Sequence, residues 1–130
     1  NVLINLHGWT EYFSDGKLAQ KYAKYVEGAN PSEYITPSII LFEVCKKMKF
    51  TKVENIALEI LSYIMKHTQI ISIDKNIALN AAEISLKTKL AMADALINAV
   101  AEEEGAKIIT GNDHFKGLPD VIFVEWFLLL

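Results

Sequence analysis

The chain has 130 residues, 52% of them hydrophobic, with 13 basic against 16 acidic side chains and a formal charge of −3. That length suffices for one domain (residues 1–130) with a real core, and the apolar content excludes a disordered chain. The acidic balance argues against a generic basic nucleic-acid coat but leaves room for an enzyme that meets phosphate through a metal ion.

Val2-Leu3-Ile4 is a short β-branched apolar run and reads as a buried strand. Asn5 to Gly8 then form a glycine-containing turn into a short helix over Trp9 to Phe13, so Asn5 and His7 fall at the carboxyl end of a strand, where α/β sheets place ligands. Ser14-Asp15-Gly16 is turn chemistry, and Lys17 to Glu27 is predicted as a helix with Leu18, Tyr22, Tyr25 and Val26 on its apolar side. After the Gly28–Ser32 loop, Tyr34-Ile35-Thr36 reads as a strand. Pro37 and Ser38 open a helix from Ile39 to about Met48. Thr51-Lys52-Val53-Glu54 is a capping box for a helix to about His67, with Ile56, Ile60, Leu61, Ile64 and Met65 as its core stripe. A strand over Gln69 to Ile73 leads to Asp74, an N-cap for Asn76 to Lys87 with no catalytic role. A helix through Asp94 ends at Glu104 and Gly105. Lys107 to Thr110 is a strand, Gly111 to Phe115 its carboxyl-end loop, and Val121 to Val124 the last strand.

Strands alternating with helices imply an α/β fold: a three-layer sandwich with a short, mainly parallel central sheet flanked by helices. Cys45 is the only cysteine, so no internal disulfide forms. There is no secretory leader and no apolar run near membrane-span length, which places the chain in the cytoplasm as an expectation. The tail Trp126 to Leu130 is an apolar stretch suited to covering the core or a partner subunit.

The segment Leu90 to Ala101 is almost wholly small and apolar, and it carries one charge, Asp94. A carboxylate there is costly unless paired, yet near a helix start the free N–H groups and the macrodipole favour an anion. Two readings stand: an acid that suits its helix end, or a group facing a site where a cation neutralises it. Glu43, among Ile39, Ile40, Leu41, Phe42, Val44 and Cys45, is equally open between an ion pair with Lys46 or Lys47 and a place in a site. Together with Asn5, Asn112 and Asp113 these make an oxygen-rich set that suits a hard cation such as Mg²⁺ or Mn²⁺, which can activate water and stabilise charge on a phosphate. No Walker loop, GxGxxG or nucleophile elbow is present, and His7, His67 and His114 show no metal spacing. All 13 basic residues are lysine, so bidentate guanidinium–phosphate recognition is unavailable within the chain.

Four segments carry a family resemblance: Trp9-Thr10-Glu11-Tyr12-Phe13, Thr36 to Val44, Met92-Ala93-Asp94-Ala95, and Ile109 to Leu118. In this order and spacing the chain resembles the PIN domain, and within it the VapC-type toxin ribonucleases, over nearly its whole length. The resemblance implies a Mg²⁺- or Mn²⁺-dependent endoribonuclease that hydrolyses RNA phosphodiester bonds as the toxin of a toxin–antitoxin pair. Such proteins are usually homodimers held by a cognate antitoxin that inserts a segment near the site. Carried onto this sequence, the pattern makes Glu43, Asp94 and Asp113 the candidate catalytic acids and Glu43, Asp94, Asn5 and Asn112 the candidate metal ligands. Thr110 would hold the site loop, Glu11 would be able to swing in, and His114 would lie within reach of a phosphate. Two positions depart from the family: amides stand at the first and last acid positions, Asn5 and Asn112, with Asp113 beside the latter, and Leu6 and His7 replace the usual small hydroxyl residues. A second register would match Asn1 to Ile4 to the family's opening motif and place the first acid ahead of Asn1. The amides leave an alternative function open, a weakened or inactive PIN module that binds protein or RNA. A third class is an unrelated α/β regulator in which Asp94 is structural.

Overall fold

The computed structural model describes residues 1–50 and 54–125. Three residues of the predicted capping box, Thr51 to Val53, and the tail Trp126 to Leu130 lie outside the described residues.

Strands β1 (Val2–Ile4), β2 (Ile35–Pro37), β3 (Gln69–Ile71), β4 (Lys107–Thr110) and β5 (Val121–Phe123) are separated by six helices. These are α1 (Leu6–Phe13), α2 (Ala19–Glu27), α3 (Ser38–Phe50), α4 (Glu54–His67), α5 (Lys75–Thr88) and α6 (Met92–Glu104). β1, β4 and β5 form one parallel sheet in that order, and β2 pairs in parallel with β3. A parallel bridge between Val2 and Tyr34, and a 2.8 Å bond from the Val2 amide to the Glu33 carbonyl, bring the two ribbons side by side. The sequence of neighbours is therefore β3-β2-β1-β4-β5, and every described pairing is parallel where the sequence led us to expect a mainly parallel sheet. The chain runs outward from β1 on one side and from β4 on the other, so the β1–β4 seam is a topological switch point.

Consecutive residues Leu3 and Ile4, and Ile108 and Ile109, are all buried. Side chains alternate faces along a strand, so burial of neighbours means that helices cover both faces, which gives the three-layer arrangement. Single-face burial drives the helices: Ala57, Ile60 and Ile64 on α4, Ile77, Ala81 and Ile84 on α5. α6 is buried more widely, at Ala95, Ile97, Ala99, Val100 and Ala101, because it packs on α5, α3 and β4 together. Met65, assigned to the core stripe of α4, is instead 57% exposed; it lies beyond the face that Ile60 and Ile64 turn inward.

Helix ends obey their local chemistry. Asp74 Oδ1 accepts the Ile77 amide at 2.9 Å, and Gly105 ends α6 in the left-handed conformation at φ 60°. The first helix differs from expectation. It begins at Leu6, not Trp9, because Asn5 Oδ1 caps it at the Leu6 amide (2.8 Å), and so His7 and Gly8 are helical. The buried Trp9 then donates its indole N–H to the Ile4 carbonyl at 2.9 Å and locks α1 onto the end of β1. Gly8 makes this docking possible. A Cβ there would stand 2.6 Å from Ile4 Cγ2 and 2.8 Å from the Tyr22 ring. Gly8→Ala is expected to destabilise the fold by about 1–3 kcal/mol through overpacking, in spite of the roughly 1 kcal/mol that alanine gains as a helix former. Urea denaturation of the two proteins checks this.

Candidate active site

The switch-point seam carries a small cleft of about 260 Å³, lined by Asn5, Leu6, His7, Lys47, Asp94 and Asn112. Its floor follows from β1–β4 pairing. The Asn5 amide donates to the Ile109 carbonyl at 3.1 Å, and Asn5 Nδ2 reaches Thr110 Oγ1 at 3.4 Å. The fully buried Thr110 hydroxyl also accepts the Asn112 backbone N–H at 3.0 Å, which fixes the loop leaving β4. Asn112 Oδ1 in turn accepts the His114 amide at 3.0 Å and caps the 3-10 turn Asp113–Phe115.

Asp94 enters from the first turn of α6. Ala91, at the cap position, offers no side-chain acceptor, so Asp94 supplies the negative charge that this helix end favours. Its Oδ2 lies 3.1 Å from Nδ1 of His114, which is 68% exposed against 14% for Asp94. Glu43 comes from the middle of α3. It does not line the cleft itself but an adjoining apolar groove of about 410 Å³, formed with Leu6, Phe42, Lys46, Lys47 and Phe50. Leu6 and Lys47 are common to both cavities. Burial pushes the Glu43 carboxyl above its ordinary range and repulsion from Asp94 pushes it further, while Lys47 pulls it back down. Glu43 thus feels the charge of Asp94. Glu43 Oε1 is also the one buried side-chain polar atom without a hydrogen-bond partner among the described residues. An orphaned carboxylate oxygen beside a second carboxylate fits a cation, and the donors are all oxygen, which fits a hard one. No three His, Cys, Asp or Glu side chains converge among the described residues, because amides hold the other two corners.

The remaining predicted site residues lie elsewhere. Asp113 is exposed and does not line the cleft: Asn112 takes the cap of the 3-10 turn, which turns the next residue outward. Glu11 Oε1 accepts the Leu18 amide at 3.0 Å and closes the α1–α2 turn, so it is employed in holding that turn. His67, which carried no site role from sequence, stacks on Tyr63 with ring centroids 3.9 Å apart and bonds the Tyr63 carbonyl. The strand–Asn5–helix arrangement is that of the first of the two registers.

Two cleft residues received no role from sequence, although His7 was placed at a strand end where ligands sit. Lys47 was weighed only as a partner for Glu43, although its position four residues along α3 puts it on the same face. His7 Nδ1 lies 2.7 Å from the hydroxyl of the buried Tyr22. Burial lowers the His7 pKa, with Glu11 raising it and Lys47 lowering it further. A larger cavity, about 530 Å³, lies away from all these groups, among Lys87, Lys107, Asp120 and the carboxyl end of α6.

A family model for the PIN domain matches residues 1–121, so the chain belongs to the PIN-domain family. It is similar to a solved toxin–antitoxin complex from Klebsiella pneumoniae (TM-score 0.75, 25% identity, covering 94% of this chain and 96% of that one). It has the fold of VapBC2 from Rickettsia felis bound to a promoter DNA fragment (TM-score 0.70, 16% identity, 95% and 96% covered). It likewise has the fold of VapC20 from Mycobacterium tuberculosis, a sarcin–ricin loop cleaving toxin (TM-score 0.69, 14% identity, 82% and 85% covered). No curated protein matches the chain. No described helix is long and apolar enough to cross a membrane.

Because Glu43 holds its proton more tightly in the folded chain than in the unfolded one, the folded state loses stability as pH rises from the ordinary value of 4.5 through the raised one. In EDTA, Glu43→Gln is therefore expected to be more stable than the parent near pH 7. The gap should close towards about pH 4, where both forms are neutral. Urea melts across that range measure it.

Proposed function

We propose that this chain is a Mg²⁺- or Mn²⁺-dependent endoribonuclease of the VapC type, the toxin of a toxin–antitoxin pair. The observation that carries the reading is the unpartnered Glu43 Oε1 beside Asp94 at the switch point of a PIN fold. Glu43 and Asp94 would hold the ion. The carbonyl oxygens of Asn5 and Asn112 each already accept one backbone N–H and keep a second lone pair for it. When bound, the ion supplies an activated water and charge neutralisation for in-line attack on an RNA phosphodiester. Thr110 fixes Asn5 and Asn112 relative to each other, so the two amide corners keep their spacing without the ion. His114 holds Asp94 from the solvent side and is positioned to meet the substrate as it enters. By analogy with the toxin–antitoxin neighbours, one partner is an antitoxin protein; the family resemblance adds a second copy of the chain and a cytoplasmic setting to this reading.

A specific observation favours a second reading, a weakened module that binds RNA or protein. Both amides at acid positions spend an oxygen lone pair on capping, and each lacks a full charge that ion affinity depends on. One set of measurements separates the two. On the enzyme reading, Mn²⁺ at a hundredfold excess over its dissociation constant raises stability by about 2.7 kcal/mol. Asp94→Asn and Glu43→Gln lose most of that gain, and both reduce RNA cleavage to background. Absence of a Mn²⁺ shift together with absence of cleavage by the parent leaves the module reading.

A further inference from the structure

The carboxylates explain how a cation is held, but not how a polyanion enters a cleft that Asp94 lines and Glu43 adjoins. Two cleft residues have the opposite character. Lys47 brings a full positive charge to both the cleft and the adjoining groove. In a chain without arginine, lysine is the only permanently cationic side chain available for such a task. His7 is held in one orientation by a relay from the buried Tyr22 hydroxyl. Tyr22 is fully buried, so its hydroxyl proton needs an acceptor within the fold. The phenol has one proton to give, and His7 Nδ1 stands 2.7 Å away to take it. Nδ1 is then the acceptor, Nε2 carries the ring proton, and His7 is a donor on the cleft wall. The relay leaves no slack: the His7 and Tyr22 rings meet edge to face at 5.5 Å, and a Cβ on Gly111 would stand 2.9 Å from His7 Nδ1.

We propose that Lys47 and His7 form the substrate-phosphate half of the cleft, binding the non-bridging oxygens of a single-stranded RNA phosphodiester, and that Tyr22 is the positioning residue that keeps the His7 Nε2–H donor turned to it. The assignment rests on the nuclease reading above and adds the residues that recognise its substrate. Lys47 contributes a charge-assisted contact, and His7 contributes a directional neutral one. Gly111, in the same loop that positions Asn112, packs against His7 Nδ1, so substrate phosphate and metal corner are set by one loop.

Binding of a short RNA oligonucleotide in EDTA, at several salt concentrations, tests recognition apart from metal chemistry. Lys47→Met is expected to weaken binding about tenfold. It should also reduce the slope of log affinity against log salt by about 0.7, the counterions released by one phosphate contact on a single strand. His7→Phe is expected to weaken binding severalfold with little change in that slope. ¹⁵N-histidine spectra should show the Nε2–H tautomer in the parent and a mixture in Tyr22→Phe, and Tyr22→Phe should add nothing to binding on the His7→Phe background. Absence of saturable binding by the parent, unchanged affinity and slope in both Lys47→Met and His7→Phe, or an Nδ1–H tautomer in the parent overturns the assignment. A Mn²⁺ melt on the same proteins keeps the two readings apart. If the parent shows no Mn²⁺ shift while RNA binding still depends on Lys47 and His7, the metal reading fails and the phosphate assignment stands.

Discussion

Parallel pairing of β1 with β4 puts Asn5 beside Thr110, residues 105 positions apart in the chain. Everything in the cleft depends on that seam. The Thr110 hydroxyl bonds both Asn5 and the Asn112 amide, so it spaces the ends of two strands. The helix that follows β1 starts immediately because Asn5 caps it, which delivers Leu6 and His7 to the cleft wall rather than to a free turn. Parallel strands need covered faces. The helices that cover them, α3 and α6, carry Glu43 and Asp94 to the same seam from the side.

The site stores an electrostatic conflict that the fold tolerates. A half-buried carboxyl with one oxygen unpartnered and a second carboxylate nearby costs stability when both are ionised. The local compensations are partial. Lys47 favours the ionised form of Glu43, His114 bonds Asp94, and the first turn of α6 favours an anion. Amides at Asn5 and Asn112 lower the charge that has to be held together, and their carbonyls are kept in place by capping bonds. The result is a site of mixed sign across cleft and groove, with Glu43, Asp94 and the amides on the side of a cation and Lys47 and His7 on the side of an anion.

Local signals were enough for most elements. Asp74 as a cap and Gly105 as a stop need only their neighbours, and the five strands stand out as short β-branched runs between turn residues. Boundaries were less legible where a tertiary partner decides them. α1 begins three residues early because the Asn5 side chain caps it and Trp9 reaches back to Ile4, and Met65 faces solvent because the inward face of α4 is chosen by what packs on it.

By itself the sequence determined the alternation of strands and helices, the oxygen-rich residue set at strand ends, the lack of arginine, and the two isolated carboxylates in apolar helices. Those are properties of residue type and spacing. Only the tertiary structure decided which of these groups share a cleft. It put Asp94 in the cleft and Glu43 in the adjoining groove, turned Asp113 outward, employed Glu11 in a loop, and joined His7 to Tyr22. The physical reason is that a side chain's direction at a strand end or helix start is set by the cap it makes and the strand it lies against. Those partners come from segments up to a hundred residues away, which no local pattern encodes.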